Sequence, residues 1–97
     1  MSDADVLKVL TEIIEILNHT GYPDQAAWLA ERETVLAEPR TIPAKRAAER
    51  QRIRKAIEGL NVRSDYVPMV QPNYRLTAEQ AKERIYELTD RLYEVTN

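Results

Sequence analysis

There is no cysteine in this chain of 97 residues, so neither a disulfide framework nor a thiolate metal site can hold it together, and a reducing compartment is the simplest setting. Glycine occurs only at Gly21 and Gly59, too sparsely for a Gly-rich phosphate loop. His19 is the single histidine. With no second imidazole and no thiolate, a transition-metal site lacks a ligand set, and His19 is expected at the surface, in the last turn of a helix whose dipole suits a partly protonated ring. The serines are Ser2 and Ser64, neither near His19 in sequence, so a Ser/His/Asp arrangement would depend wholly on tertiary geometry. No stretch approaches the roughly 18 apolar residues of a membrane span, and the start, MSDADV, lacks the positive flank and apolar run of a signal peptide. The expectation is a cytoplasmic protein that is not an enzyme and uses no cofactor or metal.

Hydrophobic residues make up 43% of the chain, enough for one core, and a chain this short buries roughly two-thirds of its unfolded surface around it. The segment most able to organise that core is DVLKVLTEIIEILN, Asp5 to Asn18. At about 100° per residue, Val6, Leu7, Leu10, Ile13, Ile14 and Leu17 share one face, and Val9 and Ile16 widen it to half the circumference. Lys8, Thr11, Glu12, Glu15 and Asn18 form the solvent strip. Ser2 or Asp3 can cap this helix, and Gly21 stops it in a left-handed conformation. Pro23 restarts a helix, with Asp24 suiting its dipole. Trp28, Leu29, Val35 and Leu36 fall on its stripe, so Trp28 is expected inside, as the largest single contributor to the core.

Pro39 and Pro43 bracket the next connection. In the third helix the large apolar residues, Ile53, Ile57 and Leu60, come only at the end, and the same stripe projected backwards passes through Arg50, Glu49 and Arg46. Its first turns cannot lie in a dry core. Arg46, Arg50 and Arg54 form an i, i+4 row of like charge, unfavourable by a few tenths of a kcal/mol per pair unless neutralised, either by carboxylates of the first two helices or by an external acidic partner. Gly59 is expected to end the helix. Pro68 and Pro72 then keep residues 60–76 extended, while Val62, Tyr66, Val67, Met69, Val70, Tyr74 and Leu76 make the segment too apolar for a free linker. It reads as a strap across one end of the bundle, with a short helical turn around Ser64 to Val67. Thr77 and Gln80 spell a capping box for the last helix, and Ala81, Ile85, Leu88, Leu92 and Val95 spell its seam. Tyr86 and Tyr93, seven apart, run alongside as either an interface rim or a surface beneath the strap. The predicted fold is all-α: a single-domain bundle of four helices, about 3–20, 23–37, 43–58 and 77–95, with a Pro-containing strap at 60–76.

The net charge of -2 conceals a polarity along the chain. Residues 1–39 carry two basic and eight acidic side chains, residues 40–63 eight and two, and residues 64–97 four and six. Such segregation speaks to partners, not to fold.

In element order and motif the chain resembles small bacterial helical proteins of unassigned function, encoded near secreted toxins or in defence and phage-derived clusters. The resemblance rests on IIEIL, on AAWL with Trp28 and Leu29, on GLNVRSDY with Gly59, Leu60, Asp65 and Tyr66, and on RLYEV with Leu92, Tyr93 and Glu94. Asn61 and Val62 stand where that pattern has a second Gly and a Ser, and Pro68 follows where it has an apolar continuation. The resemblance implies an immunity-like or antitoxin-like inhibitor that neutralises a partner protein, such as a toxin, by direct binding. Arg46, Arg50, Arg54, Tyr66, Tyr86 and Tyr93 are the candidate partner-binding residues, since interfaces favour Tyr and Arg. The competing reading is a nucleic-acid-binding or regulatory protein laying its third helix along phosphates through Arg46, Arg50, Arg54 and Lys55. A pI near 5.4 and the lack of aromatics between Ala30 and Asp65 argue against it. Self-association through the last helix, giving a homodimer, is compatible with either.

Overall fold

The computed structural model describes residues 3–60 and 66–96. Among them are four helices, α1 (Asp3–His19), α2 (Pro23–Ala37), α3 (Pro43–Leu60) and α4 (Ala78–Val95), and no strand. Cross-contacts fix the order as up, down, up, down: Asp3 meets Arg46 and Arg50 at one end of α1 and α3, Arg32 meets Glu49 between α2 and α3, and Glu12 meets Arg84 between α1 and α4. Short links make sequential helices antiparallel neighbours.

The apolar spacing of α1 produces the central helix. Val6, Val9, Leu10, Ile13, Ile16 and Leu17 are buried, whereas Leu7 and Ile14 are only half-buried, so the buried face is rotated toward Val9 and Ile16. Against it pack Ala26, Leu29 and Leu36 of α2, Ile53 of α3, and the seam Ala81, Ile85, Leu88, Leu92 and Val95 of α4. Gly21 has φ of +90°, so the turn requires glycine, and a Cβ there would also press on Met69 Cβ at 3.2 Å. The Tyr22 N–H donates to Leu17 O at 3.0 Å, the six-to-one bond of a Schellman ending. Pro23 occupies the first turn of α2, and the Thr77–Gln80 capping box is present with both of its hydrogen bonds.

Three boundaries differ from the sequence reading. The end of α3 lies beyond Gly59, at Leu60, because glycine lowers helix propensity by only about 1 kcal/mol and does not by itself end a helix. Tyr66 and Val67 are not helical. Ser2 as a cap, and Val62, Ser64 and Asp65 as parts of the strap and its turn, lie outside the described residues. Asp3, the other candidate cap, is the first residue of α1, and its carboxylate faces α3.

The described part of the strap serves α1. The last carbonyls of a helix have no partner within it, and two N–H groups spaced two apart on an extended segment supply them. Met69 N–H donates to Thr20 O at 2.8 Å and Gln71 N–H to His19 O at 3.1 Å. Pro72 then opens a turn with Asn73 at φ of 63° in its third position, the type II pattern, closed by Tyr74 N–H to Gln71 O. The turn lays the Tyr74 ring on His19, centroids 4.7 Å apart and planes 2° from parallel. His19 is therefore half-buried under the strap, not the surface residue expected, and its Nδ1 lies 2.8 Å from Glu15 O.

Candidate interaction surface

Two carboxylates of the expected solvent strip on α1 are structural fasteners. Glu12 is held by both sides of the Arg84 guanidinium, joining α1 to α4, and Glu15 takes Arg75 Nη2 at 2.6 Å and Tyr74 Oη at 3.3 Å, joining α1 to the strap. Hydrogen bonding from Arg84 holds the Glu12 carboxyl below its ordinary value of 4.5, and hydrogen bonding from Arg75 does the same for Glu15. A carboxyl whose folded pKa is depressed contributes stability that is fully present above its unfolded value and disappears as pH falls through the lowered folded value. Acidification below about 4.5 should therefore lower the melting temperature, and Glu12→Gln or Glu15→Gln should lose less over that window than the parent. The arginines are well exposed, so each effect is small. Thermal melts at a series of pH values on the three proteins measure it, and parallel curves would contradict it.

The arginine row of α3 is spent inside the molecule. Arg46 donates to Asp3 at 3.1 Å and to the carbonyls of Thr41, Leu36 and Glu38, acting as the cation at the C-terminus of α2, whose last turn has no basic residue. Arg50 takes the other Asp3 oxygen at 2.6 Å. Arg54 lies 3.6 Å from the Tyr93 ring centroid and donates to Tyr93 O at 2.8 Å. A helix-one carboxylate neutralises the first two arginines, and an aromatic face takes the third. Tyr66 is corrected outright. It is 4% exposed, part of the core, and its hydroxyl lies 2.8 Å from Thr20 Oγ1, so it offers no surface to a partner. Burial pushes the Tyr66 hydroxyl above its ordinary pKa. Tyr86 is half-buried on α4, and Tyr93 is 40% exposed. The six candidates do not converge: Arg46 and Arg50 lie at the Asp3 end, Tyr66 at the strap end, and Arg54 with Tyr93 along the α3–α4 seam.

Trp28 is also corrected. It is 38% exposed, and the α2 seam consists instead of Ala26, Leu29 and Leu36. Adjacent residues on a helix point about 100° apart, so Trp28 and Leu29 cannot both centre one face. Ala26, three before Leu29 and fully buried, marks the true seam, where close packing against α1 leaves room for a methyl and not for an indole. Trp28 belongs to the neighbouring stripe with Gln25, Arg32 and Val35, which faces the α2–α3 seam. Arg32 packs over its ring at 5.3 Å from the centroid.

Beneath Arg32 lies the residue that sequence reasoning left unassigned. Glu49 is 2% exposed. Its Oε1 accepts from Arg52 Nη1 at 2.8 Å, and its Oε2 lies 3.2 Å from Arg32 Nε without that N–H being aimed at it, so the latter contact is a close ion pair, not a hydrogen bond. The signal was present: Glu49, Ile53 and Ile57 stand at i, i+4 and i+8. The continuous set Trp28, Arg32, Glu49, Arg52 thus crosses the α2–α3 seam, with a buried anion fixing two guanidiniums beside a displayed indole. Lys45 and Lys55 are exposed on the same helix as Arg52, giving that side of α3 a basic border.

Among the described residues no helix is long and apolar enough to cross a membrane, and no group of His, Asp and Glu side chains is arranged to hold a metal ion. No family model matches the chain, and neither curated proteins nor solved structures provide a match.

Proposed function

We propose that the chain is a small protein-binding module of the immunity or antitoxin type, which neutralises a partner protein by direct contact and carries out no reaction of its own. The observation that carries this reading is the display of its single tryptophan at the surface, braced by Arg32. An indole packed against a guanidinium that is itself paired with a buried carboxylate is a braced anchor, and Trp and Arg dominate interface hot spots. Arg52, exposed over 60% of its side chain, and the Lys45 and Lys55 border suit an acidic rim on the partner around an apolar pocket for Trp28. Arg54 and Tyr93 form a second aromatic–cation pair on the other edge of α3. The phosphate-binding alternative loses support, because Arg46 and Arg50 already answer Asp3.

Affinity capture from cells of the source organism tests it, with tagged wild-type chain, Trp28→Ala and Arg52→Glu compared with and without nuclease treatment, and thermal melts run in parallel. The expected result is one protein recovered in stoichiometric amount by wild type and at least tenfold less by either variant, both variants still melting cooperatively. Equal recovery by all three would remove the α2–α3 seam as the contact surface. Recovery that depends on intact nucleic acid would replace the reading with its competitor.

A further inference from the structure

Between the four helices and Tyr66 of the strap lies a cavity of about 180 Å³. Ile13, Leu29, Ala56, Ile57, Ile85 and Leu92 form most of its wall. The floor residues Ile13, Ile85 and Leu92 are buried, whereas Gln25, Ala56 and Ile57 are half-buried, so the cavity opens between α2 and α3. The pocket is open on that side, and its wall offers water few hydrogen-bond partners. Three hydroxyls line it, and each has its proton committed. Thr20 donates to Ile16 O at 2.7 Å, which leaves Tyr66 as the donor to Thr20. Tyr22 donates to Val67 O at 3.2 Å, and Thr89 donates to Tyr86 O at 3.0 Å. Gln25 is the one polar side chain of the wall with no hydrogen bond among the described residues, and it stands at the mouth. A bound water seeks two to four polar partners, and an enclosed apolar cavity of roughly 150 Å³ admits benzene, a volume comparable with that of this open pocket.

We infer that this cavity is a binding site for a compact apolar molecule, one aromatic ring or a short branched alkyl group with at most one polar substituent, the ring or alkyl part lying on Ile13, Ile85 and Leu92 and the substituent meeting the Gln25 amide. The inference is independent of partner binding. It also accounts for how lightly α3 is seated: over Pro43–Glu58 only Glu49 and Ile53 are buried, and Ala56 and Ile57 reach the cavity without filling it. A bound ring supplies further apolar contact to Ala56 and Ile57 of α3, so ligand and α3 docking reinforce each other.

Titration of the full chain with benzene and with phenol, followed by methyl NMR and thermal melts, tests the site. The expected result is saturable shifts of the Ile13, Ile57, Ile85 and Leu92 methyls, a higher melting temperature, slower amide exchange in α3, and tighter binding of phenol than of benzene. Ala56→Leu fills the cavity from α3 and Thr89→Ile from α4. Each should weaken both probes at least tenfold, and either variant suffices if the other fails to fold. Gln25→Leu should abolish the preference for phenol while benzene still binds. Absence of saturable methyl shifts up to the solubility of the probes, or shifts unchanged in the filled variants, overturns the assignment.

Discussion

Truncation of Leu10 to alanine is expected to lower the unfolding free energy by about 3 to 5 kcal/mol. Leu10 is 0% exposed at the middle of α1, the helix against which α2 and α4 pack, and it lies within the single core cluster. Removing its isobutyl group sacrifices the transfer term and leaves a hole that α1 and the helices packed on it cannot easily close. For a domain of this size each kcal/mol moves the melting temperature by roughly 4 to 8 °C, so the variant should melt more than ten degrees below the parent or fail to fold at physiological temperature. Trp28→Ala provides the contrast. The indole is far larger than an isobutyl group, yet its site opens to solvent, so truncation leaves no sealed void and the loss should stay within about 2 kcal/mol. Urea melts of both variants give the order directly. A Trp28→Ala loss exceeding that of Leu10→Ala would return the tryptophan to the core and remove it from the contact surface.

What the sequence made legible, and what it did not, follows from how each element is held. Helices α1 and α4 are held by apolar burial, and burial writes itself as periodicity: Ala81, Ile85, Leu88, Leu92 and Val95 were readable from spacing alone. Turn chemistry was equally local, so Gly21, Pro23 and the Thr77–Gln80 box could be placed without tertiary information. In α2 the apolar residues Trp28, Leu29, Val35 and Leu36 occupy two adjacent rows, and only Leu29 and Leu36 lie on the buried one; the small Ala26 marks that row. Helix α3 was the hard case because charges hold it, and charge pairing is a tertiary property. The row Arg46, Arg50, Arg54 showed that neutralisation was needed, but Asp3, more than forty positions away, could not be chosen over an external anion. The cavity was illegible for the same reason, since it is formed by residues of five segments that no sequence window contains together.

Glu49→Ala should be the most destabilising substitution of a charged residue, at about 3 kcal/mol, the lower end of what breaking a buried ion pair removes. Glu49 is enclosed, and its loss leaves Arg32, whose side chain is 18% exposed, without its buried counter-ion. The effect stays at the lower end because Arg52 can turn to solvent and Arg32 keeps Glu31 at 3.3 Å. Most of the expected loss is the penalty of an uncompensated guanidinium rather than the net worth of the pair. Replacing both partners by apolar residues of similar reach, Arg32→Met with Glu49→Met, should therefore recover more than half of what Glu49→Ala loses. Because the chain has one tryptophan, its fluorescence reports the same event at the proposed contact surface. Glu49→Ala releases Arg32 from beneath, and Arg32 no longer braces the ring, so folded Glu49→Ala should show lower Trp28 anisotropy and a red-shifted emission. Equilibrium unfolding followed in parallel by far-ultraviolet dichroism and by this fluorescence separates the two effects. A variant that melts within 0.5 kcal/mol of the parent, roughly the scatter of a neutral surface change, would mean that Glu49 anchors neither α3 nor the tryptophan.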